Sequence, residues 1–297
     1  MHISNIMINT LHKSSLKHSI QLKPQNIITV KNHKKNLLYE TYALTKRLYI
    51  QLKRRPSTLI SGIVQPLLWL ILFGALFQNA PVELITSNIK YGKFLSPGII
   101  VFTAFTGSIN AGLPLMFDRE FGFLNRLLTA PLASRDSLLI SSMLFIATTT
   151  IIQTLIIILF TLILFNSITN IYNVYTIFTI TLLITLSIGS ISLYLAFILP
   201  GHIEFLAFVL IINLPTLFSS TALAPLSFMP YWLQIIASIN PLTYAIESIR
   251  YICMNNNSGI IQTAWFNLNI HGCIYLLLLI NILSFIIVKN LISYKFE

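Results

Sequence analysis

At 297 residues, with 55% hydrophobic and 9% charged side chains and a mean hydropathy of +0.79, the chain cannot present a water-soluble surface and reads as a polytopic membrane protein. Its formal charge of +11 is concentrated at the start: up to Arg55, eight Lys and three Arg stand against Glu40 alone, which leaves a net +1 for everything after it. Such a basic start suits retention on the side where the chain is synthesised; a nucleic-acid-binding arm would need a basic-aromatic module that is missing, so no nucleic-acid partner is expected.

Residues 1–38 carry no acidic side chain and no apolar h-region, which excludes a secretory signal peptide. A basic, acid-poor start can imitate an organelle transit peptide, and the expectation here is a flexible tail facing the cytoplasm or stroma. Richness in Ile, Asn, Lys, Phe and Tyr suggests an AT-rich genome, as in an organelle or a reduced bacterium. From Leu37 to Arg54, Leu44, Leu48 and Leu52 recur at i, i+4 steps, with Lys46, Arg47, Lys53 and Arg54 elsewhere on the turn. This pattern predicts an amphipathic helix lying on the membrane surface, so membrane lipid is an expected partner.

Arg54-Arg55-Pro56 ends that helix, and six apolar spans follow at about 59–77, 94–116, 138–165, 174–199, 205–222 and 270–288. The second span leads into a polar break from Asp118 to Ser137, and the fifth is expected to break near Pro215. The third, at 28 residues, reaches roughly 42 Å as a helix and must tilt or protrude from a core of roughly 30 Å. Gly189 and Ser190 offer the fourth span a close-packing face. His202 beside Glu204 reads as a wet turn residue, with a proton relay as the sharper alternative. Six crossings return the C-terminus, with Lys289 and Lys295, to the side of the N-terminus. Cys253 and Cys273 are the only cysteines; no CxxC spacing marks a metal site, and two unrelated thiols are expected, with a disulfide as the alternative.

The six spans contain no Asp, Glu, Lys or Arg, Glu204 lying at one edge. Carriers that couple to ion gradients usually keep such groups at membrane depth. No Gly-x-x-x-x-Gly-Lys-Ser/Thr loop is present either, so no catalytic residue and no cofactor are assigned to this chain, and ATP would be used by a separate subunit. An ATPase-independent carrier and a membrane assembly factor are the alternatives.

Between the fifth and sixth spans, Met229 to Arg250 is apolar but broken. Tyr231 to Ile239 is too short to cross a bilayer, and Asn240-Pro241 stops it, which predicts a re-entrant or interfacial element. Glu247 and Arg250 stand at i, i+3, within pairing distance on a helix, and exchanging the two charges is expected to preserve part of such a pair.

The order Met229-Pro230, Trp232, Asn240-Pro241-Leu242-Thr243-Tyr244, Glu247 and Arg250, preceded by the small residues Ser219, Ser220, Ala222 and Ala224, resembles the signature of ABC-2 type transporter permeases. The resemblance extends from about Tyr39 to the C-terminus, and the chain as a whole is similar to the plastid-encoded ABC-2 permeases of red algae. It implies an all-α polytopic membrane domain over 39–297 in a plastid membrane, or a bacterial inner membrane as the alternative. It also implies a permease subunit that dimerises, exports a substrate and couples to a separate ABC ATPase through the 118–137 loop. Residue by residue, the family pattern places the ATPase contact at Glu120, Gly122, Leu127, Leu128 and Pro131, and the signature and extracytoplasmic gate at Pro230, Pro241, Tyr244, Glu247 and Arg250. Thr58, Ser61 and Gln65, and Asn213, Thr216 and Ser220, form polar stripes at helical spacing on the first and fifth spans, which by the resemblance face the dimer cavity. Gln65, Asn213, Thr216 and Ser220 are the expected substrate-path residues.

Overall fold

The computed structural model describes residues 33–77, 91–129, 136–165, 171–254, 260–262 and 267–296, which from Asn36 onward fall in one compact unit. Most of the basic tail lies outside the described residues. In chain order the helices are α1 (His33–Arg54), α2 (Ser57–Leu76), α3 (Tyr91–Asn110), α4 (Leu113–Glu120), α5 (Phe123–Thr129), α6 (Asp136–Phe165), α7 (Ile171–Ile198), α8 (His202–Phe218), α9 (Tyr231–Ile239), α10 (Pro241–Met254) and α11 (Ile270–Phe296). Among the described residues, five helical segments are long and apolar enough to cross a membrane: α2, α3 continued by α4, α6, α7 and α11. The chain is therefore a helical, multi-pass membrane protein.

α3 is the element around which the others pack. Every residue from Phe94 to Thr106 is buried, against α2, α6, α7 and α10. Its hydroxyls do not compete with that packing, because Thr103 and Thr106 donate back to Ile99 O and Phe102 O at 2.7 and 3.0 Å. Gly98 lets Ala222 approach so closely that a Cβ would sit 2.7 Å from the Ala222 carbonyl oxygen. Likewise Gly62 on α2 and Gly107 on α3 leave room for the buried Gln153 of α6, whose amide would collide with a Cβ at either position. The small-residue face expected on the fourth span is present, with Gly189 set against Ile146 and Ser190 against Met143.

α1 has the expected two-sidedness. Leu44, Leu48 and Thr41 are buried, while Lys46, Lys53 and Arg54 are exposed, and Tyr49 packs edge-on against Phe145 of α6 at 5.7 Å.

Two expectations need correction. The second span does not run unbroken to Met116: α3 stops at Asn110, and a new helix carries Asp118, Arg119 and Glu120 in helical rather than loop conformation. Pro114 explains the break, since it has no N–H to donate to Asn110 O and its ring crowds that carbonyl, and it suits the first turn of α4, where the missing N–H is not needed; Gly112 at the break lets Ser192 O and Phe205 Cζ come to where a Cβ would sit 3.0 and 3.1 Å from them. The combined segment of 30 residues would reach about 45 Å, so its charged end lies beyond a core of roughly 30 Å.

The fifth span is also different, because α8 passes through Pro215 and ends at Phe218, at 17 residues. Pro215 lies in the last turn, where a proline costs one donated bond, and its own carbonyl still accepts from Ser219 N at 2.8 Å. Ahead of α11, Ile260–Gln262 (β1) pairs antiparallel with Asn267–Asn269 (β2). Cys253 and Cys273 are free thiols.

Candidate functional site

Two polar constellations sit at opposite ends of the buried α3. At its N-terminal end, the broken segment predicted to be re-entrant folds as two helices joined at Asn240. The Asn240 side chain does two things there. Its Oδ1 accepts from Leu242 N at 3.0 Å, capping α10, and its Nδ2 donates to Thr216 O at 2.9 Å and Ser219 Oγ at 3.3 Å, tying the corner to the end of α8. Pro241 occupies the first position of α10, where a fixed φ favours a helix start. Tyr244 donates to Ser238 O across the corner at 2.6 Å, and Pro230 begins α9 by offering its carbonyl to Leu233 N at 2.9 Å.

Glu247 and Arg250 form the ion pair that the spacing predicts. Arg250 is 6% exposed and reaches further: its Nη2 donates to Thr221 O at 2.6 Å, and its guanidinium covers the Phe94 ring at 3.8 Å, a cation–π contact. Burial draws the Arg250 guanidinium down from its ordinary value and Glu247 opposes that shift. Tyr91 adds a bond to Leu223 O at 3.1 Å. The Ser219–Leu223 turn after α8 is thereby held by α3, the Asn240 corner and α10 together.

At the other end, α4 carries three consecutive charges that go to three different places. Asp118 pairs with Arg47 of α1, whose guanidinium lies 4.2 Å from the centre of the Phe123 ring. Arg119 donates to Phe197 O at 2.7 Å, to Leu199 O, and to Pro200 O at 2.9 Å. These are carbonyls that the end of a helix leaves without intrahelical donors. Glu120 Oε2 accepts from His202 N at 3.2 Å and pairs with His202 Nδ1 at 2.6 Å; the side-chain bond from His202 holds its carboxyl below the usual range. His202 is therefore partnered by Glu120, a residue 82 positions away, rather than by its neighbour Glu204.

Gly122 follows in the left-handed region, φ +74°, which a glycine enters without the steric cost borne by other residues. It turns the chain into α5 and leaves Phe121 76% exposed, its ring stacked on Phe117 at 6.0 Å, while Leu127 of α5 is half-buried. Leu128 lies in α5, and Pro131 falls outside the described residues. Phe121 was not marked by the sequence; its only signal there is a large apolar residue between a charged helix end and a glycine.

The polar stripes of the first and fifth spans do not share one environment. Thr58, Ser61 and Gln65 are exposed on α2, whereas Asn213 and Ser220 are buried and Thr216 is half-buried. Ser220 donates to Leu217 O at 2.6 Å, and Asn213 Oδ1 is buried without a partner in the described structure. The two helices are nonetheless neighbours, because Trp69 of α2 meets Phe218 of α8 at 6.4 Å.

The family model described as ABC-2 type transporter matches residues 39–254. The chain is 52% identical to the transport permease ycf38 of Porphyra purpurea over 92% of its own length and 96% of that relative. It is 49% identical to the protein of the same name from Cyanophora paradoxa, over 86% of this chain and 90% of that one. A more distant likeness, 27% over 79% of this chain and 84% of the relative, is to the doxorubicin resistance ABC transporter permease protein DrrC of Mycobacterium tuberculosis. The ycf38 relatives belong to the plastids of red algae and a glaucophyte.

Proposed function

We propose that this chain, which belongs to the ABC-2 type transporter family, is the membrane subunit of an ATP-driven exporter. It works as a dimer on a separate ATPase and binds no ATP itself. The observation that carries this reading is the turn between α4 and α5. Phe121 stands 76% exposed at the tip of a turn fixed by Gly122, on a chain end rich in charges where water, not lipid, is the surrounding medium. A large apolar side chain held out in that way suits a groove on a partner protein. By the family pattern, Glu120, Gly122, Leu127, Leu128 and Pro131 belong to the same contact.

The exposed side of α2 supplies the dimer face, with Gln65 set among Ile60, Val64, Leu68 and Leu72, all exposed. A polar side chain in such an apolar stripe is better satisfied across a second copy than by lipid. Asn213, Thr216 and Ser220, reached from the neighbouring α8, extend the pathway inward, and the corner built from Pro230, Pro241, Tyr244, Glu247 and Arg250 closes its far end.

Copurification tests the reading. The wild-type permease, tagged and solubilised from its native membrane, should bring down an ABC ATPase subunit. Phe121→Ala should lose that subunit while eluting as a well-folded protein. A wild-type permease that purifies alone under conditions preserving other membrane complexes would refute it.

A further inference from the structure

We infer that the end of α4 and the turn between α7 and α8 move as one clamp, in which Arg119 and Glu120 are positioning residues that carry displacement of the α4–α5 turn into α8. This rests on the reading above for the identity of the driving subunit, and adds the route by which its motion enters the membrane.

Adjacent residues of one short helix hold the two sides of a connection. Arg119 gathers the carbonyls of Phe197, Leu199 and Pro200 at the end of α7, and Glu120 takes the backbone N–H and the ring of His202, the first residue of α8. Hydrogen bonds with a charged partner are the stronger kind, and here they fall on backbone groups at helix ends that would otherwise lack partners. Only Leu199, Pro200 and Gly201 separate α7 from α8, so the connection has little slack to absorb a shift of α4. The Phe117 ring adds a contact with the His202 ring at 5.3 Å, and Gly112, at the other end of α4, fits against Ser192 of α7 and Phe205 of α8. α4 is thus fixed to α7 and α8 at both of its ends. Its remaining charge, Asp118, binds α1 through Arg47. With its Oε2 taken up by His202 within the chain, Glu120 acts through α8 and not as the principal contact to a partner.

The test uses the full complex in a Cys253→Ser, Cys273→Ser background with Val209→Cys on α8 as reporter, a position 3% exposed. Its rate of maleimide labelling is measured with and without ATP. Arg119→Ala should bring down as much ATPase as the wild type yet lose the ATP-dependent change in labelling by about tenfold, the scale of one hydrogen bond to a charged group. Arg119→Lys should keep part of it. Bridging Phe117→Cys to His202→Cys, positions whose rings lie 5.3 Å apart, with a short bifunctional thiol reagent should leave the ATP response intact, because a clamp that stays closed is not disturbed by being locked. A full response in Arg119→Ala, or arrest on bridging, overturns the inference. If no ATPase copurifies with the wild type, the reading of the previous subsection fails separately; the clamp then stands or falls on labelling without nucleotide. Arg119→Ala must change that rate, and an unchanged rate overturns it.

Discussion

Arg250 distributes its nitrogens over three elements: Nη1 goes to Glu247 on its own helix, while Nη2 donates to Thr221 O and lies 3.5 Å from Phe94 O. Removing one member of a buried pair strands the other at about 3–5 kcal/mol, so Arg250→Ala should sharply reduce assembled permease, measured as monodisperse protein after solubilisation. Glu247→Ala should reduce it comparably, since it strands the more deeply buried guanidinium, which keeps only the Thr221 carbonyl and the Phe94 ring. Exchanging the charges, Glu247→Arg with Arg250→Glu, should recover little, because a carboxylate at position 250 would face the Thr221 carbonyl. The spacing of three made the pair legible in the sequence; partners 29 and 156 residues away were not, and they reverse the expectation of rescue. Nearby, burial pushes the Cys253 thiol up to about 11, with Arg250 pulling the other way. The thiolate is the reactive form, so alkylation of Cys253 should be slow at pH 8 and should accelerate as pH rises toward 11; rapid labelling at pH 7 would contradict this environment.

Among elements, the long helices were legible because a run of apolar residues longer than a bilayer core has few other uses. Their interruptions were legible only where local chemistry makes them. Asn240-Pro241 breaks α9 from α10 by its own capping, and the sequence marked it. Pro114 also marks the break at Ala111-Gly112, since it cannot donate to Asn110 O, yet the apolar run to Met116 hid it. Pro215, the strongest local signal in the fifth span, was misleading because its position in the last turn makes it harmless. The turn at Gly122 offers a test at this scale. A Cβ there would meet nothing within 4 Å, so Gly122→Ala incurs only the left-handed backbone cost of about 1–2 kcal/mol. It should lower the thermal midpoint modestly while weakening ATPase copurification, since it tilts Phe121; loss of neither would remove the turn from the docking surface.

Sidedness and pairing belong to the scale of the whole molecule. Cysteines at Lys35 and Lys295 should label from the side of synthesis, and one at Asn256, outside the described residues, from the other; labelling of position 256 from the synthesis side would reject six crossings. Gln65→Cys should crosslink two copies in the native membrane, whereas a monomer on gels would move the dimer face elsewhere. α2 also depends on a later part of the chain. The membrane-exposed first span has few buried residues, and its polar anchor is Gln153, which reaches Leu59 O from 94 residues downstream and lodges between Gly62 and Gly107. At roughly 5–20 residues per second of synthesis, that anchor arrives on the order of 5–20 s after the helix it holds. During that interval the newborn first span can lean on α3 but lacks its polar anchor, so a slow ribosome or a missing insertion chaperone should strike this permease first at that span.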